Sequence, residues 1–215
     1  MTRTVLLWLP LYSGCIVYSP DGPPDDTGSA GDTQRETGDP DDSGDPDDSG
    51  DPDDTGSDDP LECDPSVVDW PTAWGDLEEA VLEATNVVRS NGADCGVYGW
   101  MPSVGPLSME PHLRCAARVH ALDMGARDYF SHESAGGPLG DTFPERIRHA
   151  GYAGGSLGEN IAAGYPSAQA VVDAWVASDD HCTNLMSDAY SHIGVGYASV
   201  PGSTYGTYWV QDFGG

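Results

Sequence analysis

The stretch from Leu157 to Pro166, LGENIAAGYP, sets Glu159 and Asn160 directly in front of Ile161, Ala162 and Ala163. Small apolar residues leave no room for water, so Leu157–Ala163 reads as a buried strand. A carboxylate entering such a place costs on the order of several kcal/mol unless something pairs with it. Glu159 therefore needs a partner from elsewhere in the chain, and the segments around it decide both the fold and the site.

Upstream, Leu77, Ala80, Val81, Ala84, Val87 and Val88 recur at helical spacing, which predicts a helix over Asp76–Asn91 that Gly92 ends. Leu113, Ala116, Ala117, Ala121 and Met124 form the stripe of a second helix over Glu110–Asp128, and short helical turns follow at Thr142–Ala150. Downstream, Ser167 is an N-cap candidate for a helix to Ser178, with Ala168, Val171, Val172, Trp175 and Val176 facing inward. HIGVGYASV and TYGTYWVQDF, separated by Pro201-Gly202-Ser203, then read as a β-hairpin. Helices precede strands without regular alternation. This excludes a doubly wound parallel sheet and predicts an α+β layered domain.

The flanking composition is unlike the domain's. The 215 residues hold 36 acidic side chains against 8 basic ones, all arginine, for a formal charge of −28. Such a field repels nucleic acid and anionic lipid headgroups. Residues 1–60 carry 16 of the acids and two of the arginines. From Gly38 the chain reads GDPDDSGDPDDSGDPDDTGSDDP, a repeat with nothing apolar to bury, which predicts an extended linker over residues 16–62. Its prolines oppose the wrapping that a calcium loop needs. At Pro-rich spacing these 47 residues would reach on the order of 100 Å.

The N-terminus, MTRTVLLWLPLYSGCIVYSP, has an apolar run from Val5 to Tyr12, too short to span a bilayer. It resembles a bacterial lipoprotein signal, in which a small pair precedes a lipidated cysteine. The expectation is a signal over residues 1–15, with Cys15 carrying a lipid anchor. Only 14 residues precede Cys15, and Tyr12 stands where a small or aliphatic residue is usual. An ordinary cleaved signal is the alternative. The remaining Cys63, Cys95, Cys115 and Cys182 make two disulfides in an exported domain, with three connectivities open.

Among the candidates for chemistry, Gly154–Gly158 fits a G-x-S-x-G pattern, with Asp179, Asp180 and His181 following. That elbow needs a strand before it and a helix after it, and here a loop precedes and a strand follows. His112, His120, His149 and His192 read as structural or exposed. His132, after the second helix, and His181, just past the later one, both leave helix ends that could converge over GENIAAG. They would suit Glu159 as hydrogen-bond partners, or bind a metal while the carboxylate orients one of them.

NVVRSNG, AARVHALDM, YFSH, ERIRHAGY, GENIAAG, VVDAW, SDDHCTNLM, HIGVGYA and YWVQDFG occur in order. Together they resemble the bacterial branch of the CAP superfamily, which includes cysteine-rich secretory proteins, antigen 5 and plant pathogenesis-related proteins. The resemblance covers Leu77–Gly214. It implies a three-layer α–β–α sandwich over residues 63–215, with a cleft where His132 and His181 hold a divalent metal, often zinc, beside Glu159. The family's fourth cleft position falls on Ser178, so Asp179 is expected to stand in for the missing carboxylate. The resemblance also implies a Cys95–Cys182 disulfide, which leaves Cys63 with Cys115.

The function so implied is an extracytoplasmic CAP-domain protein, held at a membrane or outer surface by its lipid or else secreted. Its cleft would take a metal and a lipid, sterol or cell-wall ligand, with no nucleic-acid partner. Two alternatives stand beside this reading: a metal-assisted hydrolase with Glu159 as base, and a structural surface domain with no ligand. Zinc hydrolases usually supply three protein ligands, which weighs against an enzyme.

Overall fold

In the computed structural model the described residues are 15–18 and 64–215, the backbone alone being described for the first four. The signal, the linker and Cys63 thus lie outside the described residues, apart from Cys15–Tyr18. A 3-10 turn over Pro65–Val67 leads into helix α1 (Thr72–Asn91). Helix α2 spans Pro111–Ala126, α3 Phe143–His149, α4 Ala168–Val176 and α5 Asp179–Leu185. The strands are β1 (Cys15–Tyr18), β2 (Ala93–Asp94), β3 (Trp100–Met101), β4 (Ser108–Met109), β5 (Leu157–Ala163), β6 (His192–Ser199) and β7 (Thr207–Gly214). No helix among the described residues is long and apolar enough to cross a membrane.

The main sheet has the order β1-β5-β7-β6-β4, antiparallel except where β4 runs parallel to β6, and β2 pairs with β3 separately. Strand alternation decides what each face carries. Ala162, Ile193, Val195, Tyr197, Trp209 and Phe213 share a cluster with residues of α1, α4 and α5. Leu157, Ile161, Ala163, Ala198, Tyr208 and Val210 pack instead with α2 and α3. The result is the expected three layers, with β5 buried along its whole length.

Close packing of α2 on β6 depends on two glycines. A Cβ at Gly194 or Gly196 would fall onto the α2 backbone at Leu113 or Ala117. Overpacking of this kind costs about 1–3 kcal/mol.

Local signals explain most helix ends. Ser167 caps α4 by accepting from the Ala170 N–H at 3.3 Å. Glu110 caps α2 by accepting from the Leu113 N–H at 2.7 Å, and Thr142 with Glu145 forms a capping box on α3. Three expectations need correction. First, α1 begins four residues before Asp76. Second, its buried face carries Glu78, Val81, Thr85 and Arg89, while Val87 is exposed. Arg89 can sit there because its guanidinium donates to the carbonyls of Gly105, Leu185 and Ser187, each at 2.8 Å. Third, His181 does lie past the end of α4, but the segment that carries it is not a loop; it is a further short helix, α5.

Cys95 and Cys182 form a disulfide that ties the turn after α1 to α5, as the family resemblance implied. Cys115 is also disulfide-bonded; its expected partner Cys63 lies outside the described residues.

Candidate functional site

Strands β5 and β7 pair Glu159 with Asp212 and Asn160 with Gln211. Alternation turns the first pair toward α2 and α3 and the second toward α1 and α5. Two polar pairs thus stand back to back at the centre of the sheet, all four side chains wholly buried.

The amide pair is held by neutral hydrogen bonds. Asn160 Nδ2 donates to Gln211 Oε1 at 3.1 Å and to the His181 carbonyl at 3.2 Å. Gln211 Nε2 donates to Thr85 Oγ1 at 2.9 Å, and Asn184 Nδ2 to Asn160 Oδ1 at 3.1 Å.

The charged pair answers what Glu159 meets. Its Oε1 lies 2.6 Å from His132 Nδ1, and its Oε2 accepts from Arg146 Nη2 at 2.7 Å. The same Arg146 nitrogen donates to the His132 carbonyl at 2.9 Å, while Nη1 donates to Ser134 Oγ at 3.0 Å. Arg146 therefore fixes both the carboxylate and the loop that carries His132. Glu159's second partner is this arginine, not His181 as expected. Burial pushes the Glu159 carboxyl up, but Arg146 and the His132 hydrogen bond outweigh it and hold the group below the usual carboxylate range.

Asp212 behaves in the opposite sense. Burial, then the Glu159 charge, raise its carboxyl well above the ordinary value. No described donor reaches either of its oxygens. Protonation resolves both facts, because a neutral Asp212 can donate to Glu159. His120, from α2, borders the same cluster. Its Nε2 lies 3.0 Å from the Ser131 carbonyl, which requires Nε2 to carry the proton, and burial lowers its pKa to about 3.

The sequence reading missed Arg146 and Asp212. The signal for Arg146 was its place on the Phe143, Ile147 and Ala150 stripe of FPERIRHA, where a lone charge must be paired. The signal for Asp212 was its alternation in step with Tyr208 and Val210.

The other expected site residues fall elsewhere. His181 and Ser178 line a cavity of about 200 Å³ with Phe130, Ala162, Ala163, Tyr165, Ala174 and Trp175. Asp179 does not fill the fourth corner: its carboxylate accepts from the Val97 N–H at 3.3 Å, in the turn beside the disulfide. The carboxyl beside Glu159 is Asp212. Ser156 of the G-x-S-x-G match lies in the loop that runs into β5, with no helix directly after it. His112 pairs with Glu110, His149 with the Leu139 carbonyl and His192 with the Tyr152 hydroxyl, as structural histidines do.

For a metal, the donor set is limited. Among the described residues no three His, Cys, Asp or Glu side chains are grouped to hold an ion. Both Glu159 oxygens are engaged, one of them by His132 Nδ1 and the other by Arg146. A carboxylate behind an imidazole is the usual support of a metal-binding histidine. His132 stands against Glu159, whereas His181 lines the cavity beside Ala162 and Ala163.

The Bacillus subtilis protein YkwD, itself described as uncharacterized, is 31% identical over 143 residues, which is 66% of this chain and 49% of that protein. The chain thus spans about half the length of that relative. An extracellular protein containing an SCP domain from Bacillus anthracis superposes with a TM-score of 0.53 at 26% identity, over 65% of this chain and 40% of that one. An outer surface protein from Borrelia burgdorferi, at 19% identity and a TM-score of 0.50 over 68% of this chain and 95% of that one, shares the fold. With residues 82–213 matching the family model of the cysteine-rich secretory proteins, called CAP, the chain belongs to that family.

Proposed function

We propose that this chain is an extracytoplasmic binding module whose cleft, on the β5 side of the domain, holds a divalent metal between His132 and His181 and receives an apolar group beside it. The observation that carries this reading is the 2.6 Å contact of His132 Nδ1 with a Glu159 whose other oxygen is taken by Arg146. A general base must be open to the proton it abstracts. A carboxylate buried and engaged at both oxygens is instead an orienting group, which favours binding over hydrolysis. The cavity of about 200 Å³ falls below the roughly 300–1,000 Å³ of pockets that enclose a whole small molecule. It suits one ring or a short acyl or side-chain segment rather than an entire sterol.

Export is supported by the Cys95–Cys182 disulfide and by relatives described as extracellular or outer-surface proteins. Anchoring through a lipid on Cys15 belongs to the same proposal.

When bound, zinc would supply a Lewis-acidic centre facing the cleft, with water completing its shell. Calorimetric titration of the full chain with zinc tests this. His132→Ala and His181→Ala should each remove most of the binding, and His149→Ala should leave it intact. Affinity should fall as pH drops through the histidine range, since both imidazoles must be neutral to ligate. Equal zinc affinity in wild type and both cleft variants would overturn the metal site.

A further inference from the structure

The outer edge of β5 is where the cleft and the chain's own N-terminal strand meet. Strand β1 pairs antiparallel with β5, setting Cys15 opposite Asn160, Ile16 opposite Glu159, Val17 opposite Gly158 and Tyr18 opposite Leu157. The hydrogen-bonding phase of β5 is fixed at its ends. Gly164 N–H donates to the Thr207 carbonyl at 2.9 Å, and Gly215 N–H to the Ser156 carbonyl at 3.1 Å. Even-numbered residues therefore turn their peptide groups to β7, and odd-numbered ones turn theirs to the outer edge.

Three side chains mark that edge. Tyr190 hydroxyl donates to the Leu157 carbonyl at 3.2 Å, Asn184 Nδ2 to that of Glu159 at 3.2 Å, and Trp175 Nε1 to that of Ile161 at 3.3 Å. A carbonyl has two lone pairs, so each can also accept from a neighbouring strand. The outward N–H groups of Leu157 and Glu159 are buried and need an acceptor. That acceptor is the β1 backbone. The paired segment ends at Asn160, and the cavity lined by Phe130, Tyr165, Trp175 and His181 opens beyond Ile161, at Ala162 and Ala163 of β5.

We infer that the outer edge of β5 is an acceptor site for an extended apolar peptide, bound by strand addition, which the chain's own Cys15–Tyr18 fills here. Strand addition takes affinity from main-chain hydrogen bonds and specificity from pockets alongside. The uncharged sequence CIVY, rich in strand formers, and the chain's charge of −28 define the ligand class as extended peptide without acidic residues. The inference rests on the reading of this cleft as a binding site but not on the metal.

The phase gives a test that a merely loose tail fails. The N–H of Ile16 faces β5 and that of Val17 faces away, so Ile16→Pro removes a pairing group that Val17→Pro spares. In the full chain, amide exchange at Leu157 and Glu159 should accelerate at least tenfold in Ile16→Pro and much less in Val17→Pro. Gly158 and Asn160, bonded to β7, should be unchanged. A synthetic peptide of residues 13–20, with serine for the cysteine, should restore protection to Ile16→Pro.

A second measurement needs no variant. The same peptide, fluorescently labelled and added to wild type, should bind at least tenfold more weakly when N-methylated at the Ile16 position than at the Val17 position. Equal exchange in all three proteins, or equal binding of the two methylated peptides, would overturn the acceptor site. Neither result bears on zinc binding by His132 and His181, so the two readings fail separately.

Discussion

Glu78 and Glu159 are both wholly buried carboxylates, and the difference between them separates scaffold from site. Glu78, on α1, is saturated. It accepts from Trp70 Nε1 at 2.7 Å, Arg114 Nε at 2.8 Å, Arg118 Nη2 at 2.6 Å and the Tyr197 N–H at 3.3 Å. Two arginines, an indole and a strand amide thus clamp α1 and α2 to the sheet through one side chain. Glu159 has one arginine and one histidine, and a second acid, Asp212, stands opposite it. Buried polar groups in a purely structural hub are normally satisfied. The Glu159 hub instead keeps an acid, Asp212, whose carboxyl is raised well above its ordinary range.

The largest effect should come from removing the cation that makes this tolerable. Arg146 is itself buried, so Arg146→Met leaves Glu159 uncompensated beside Asp212. Breaking a buried pair from one side costs about 3–5 kcal/mol. Denaturant unfolding that shows a loss under about 1 kcal/mol would erase the contrast with Glu78.

Glu78→Gln should cost less, about 1–3 kcal/mol. The side chains of Arg114 and Arg118 keep 21% and 19% of their exposure, so water can take over their charge. If the Glu78 variant is the less stable of the two, the ranking is reversed and the saturated hub is the costlier one to break.

The smallest and most informative effects are in pH. A depressed group such as Glu159 stabilises above the ordinary carboxylate range, and that contribution is lost as pH falls through its folded value. Asp212 is raised, so its contribution is complete below about pH 4 and is lost as pH rises through its folded value. Asp212→Asn should therefore gain on wild type as pH rises from about 4, by up to about 1.4 kcal/mol per pH unit. His120, lowered to about 3, should cost the wild type stability as pH falls below about 6.5, and His120→Gln should flatten that limb. Melting temperatures of the three proteins between pH 3 and 8 check both signs. An Asp212→Asn variant less stable than wild type at pH 7 would show that Asp212 is not held protonated.

Much of the layered fold was legible because it rests on local signals. The stripe Leu113, Ala116, Ala117, Ala121 and Met124 is wholly buried, Ser167 caps the helix it was expected to cap, and β5 begins and ends where LGENIAA does. What escaped was short or contrary to pattern. Helix α5 has seven residues and opens on two aspartates, too little for a periodic signal. Strand β4 is two residues long and exists only because β6 gives it a partner. On α1 the apolar stripe pointed toward Val87, whereas the helix turns Thr85 and Arg89 inward because Gln211 and the carbonyls of Gly105, Leu185 and Ser187 wait there.

The sequence alone determined that Glu159 enters a buried strand and must be paired, that His132 lies within its reach, and that Cys95 and Cys182 match a family pattern. The first follows from side-chain chemistry and spacing along one chain, and the other two from the resemblance to the family. Only the tertiary structure decided that the pairing cation is Arg146, that the neighbouring acid is Asp212 rather than Asp179, and that Cys15–Tyr18 closes the edge of the sheet. The physical reason is that burial and pairing depend on which surfaces meet. Arg146 lies 13 residues before Glu159 and Asp212 lies 53 after it, and no local period relates them until strand register and helix packing bring them to one point.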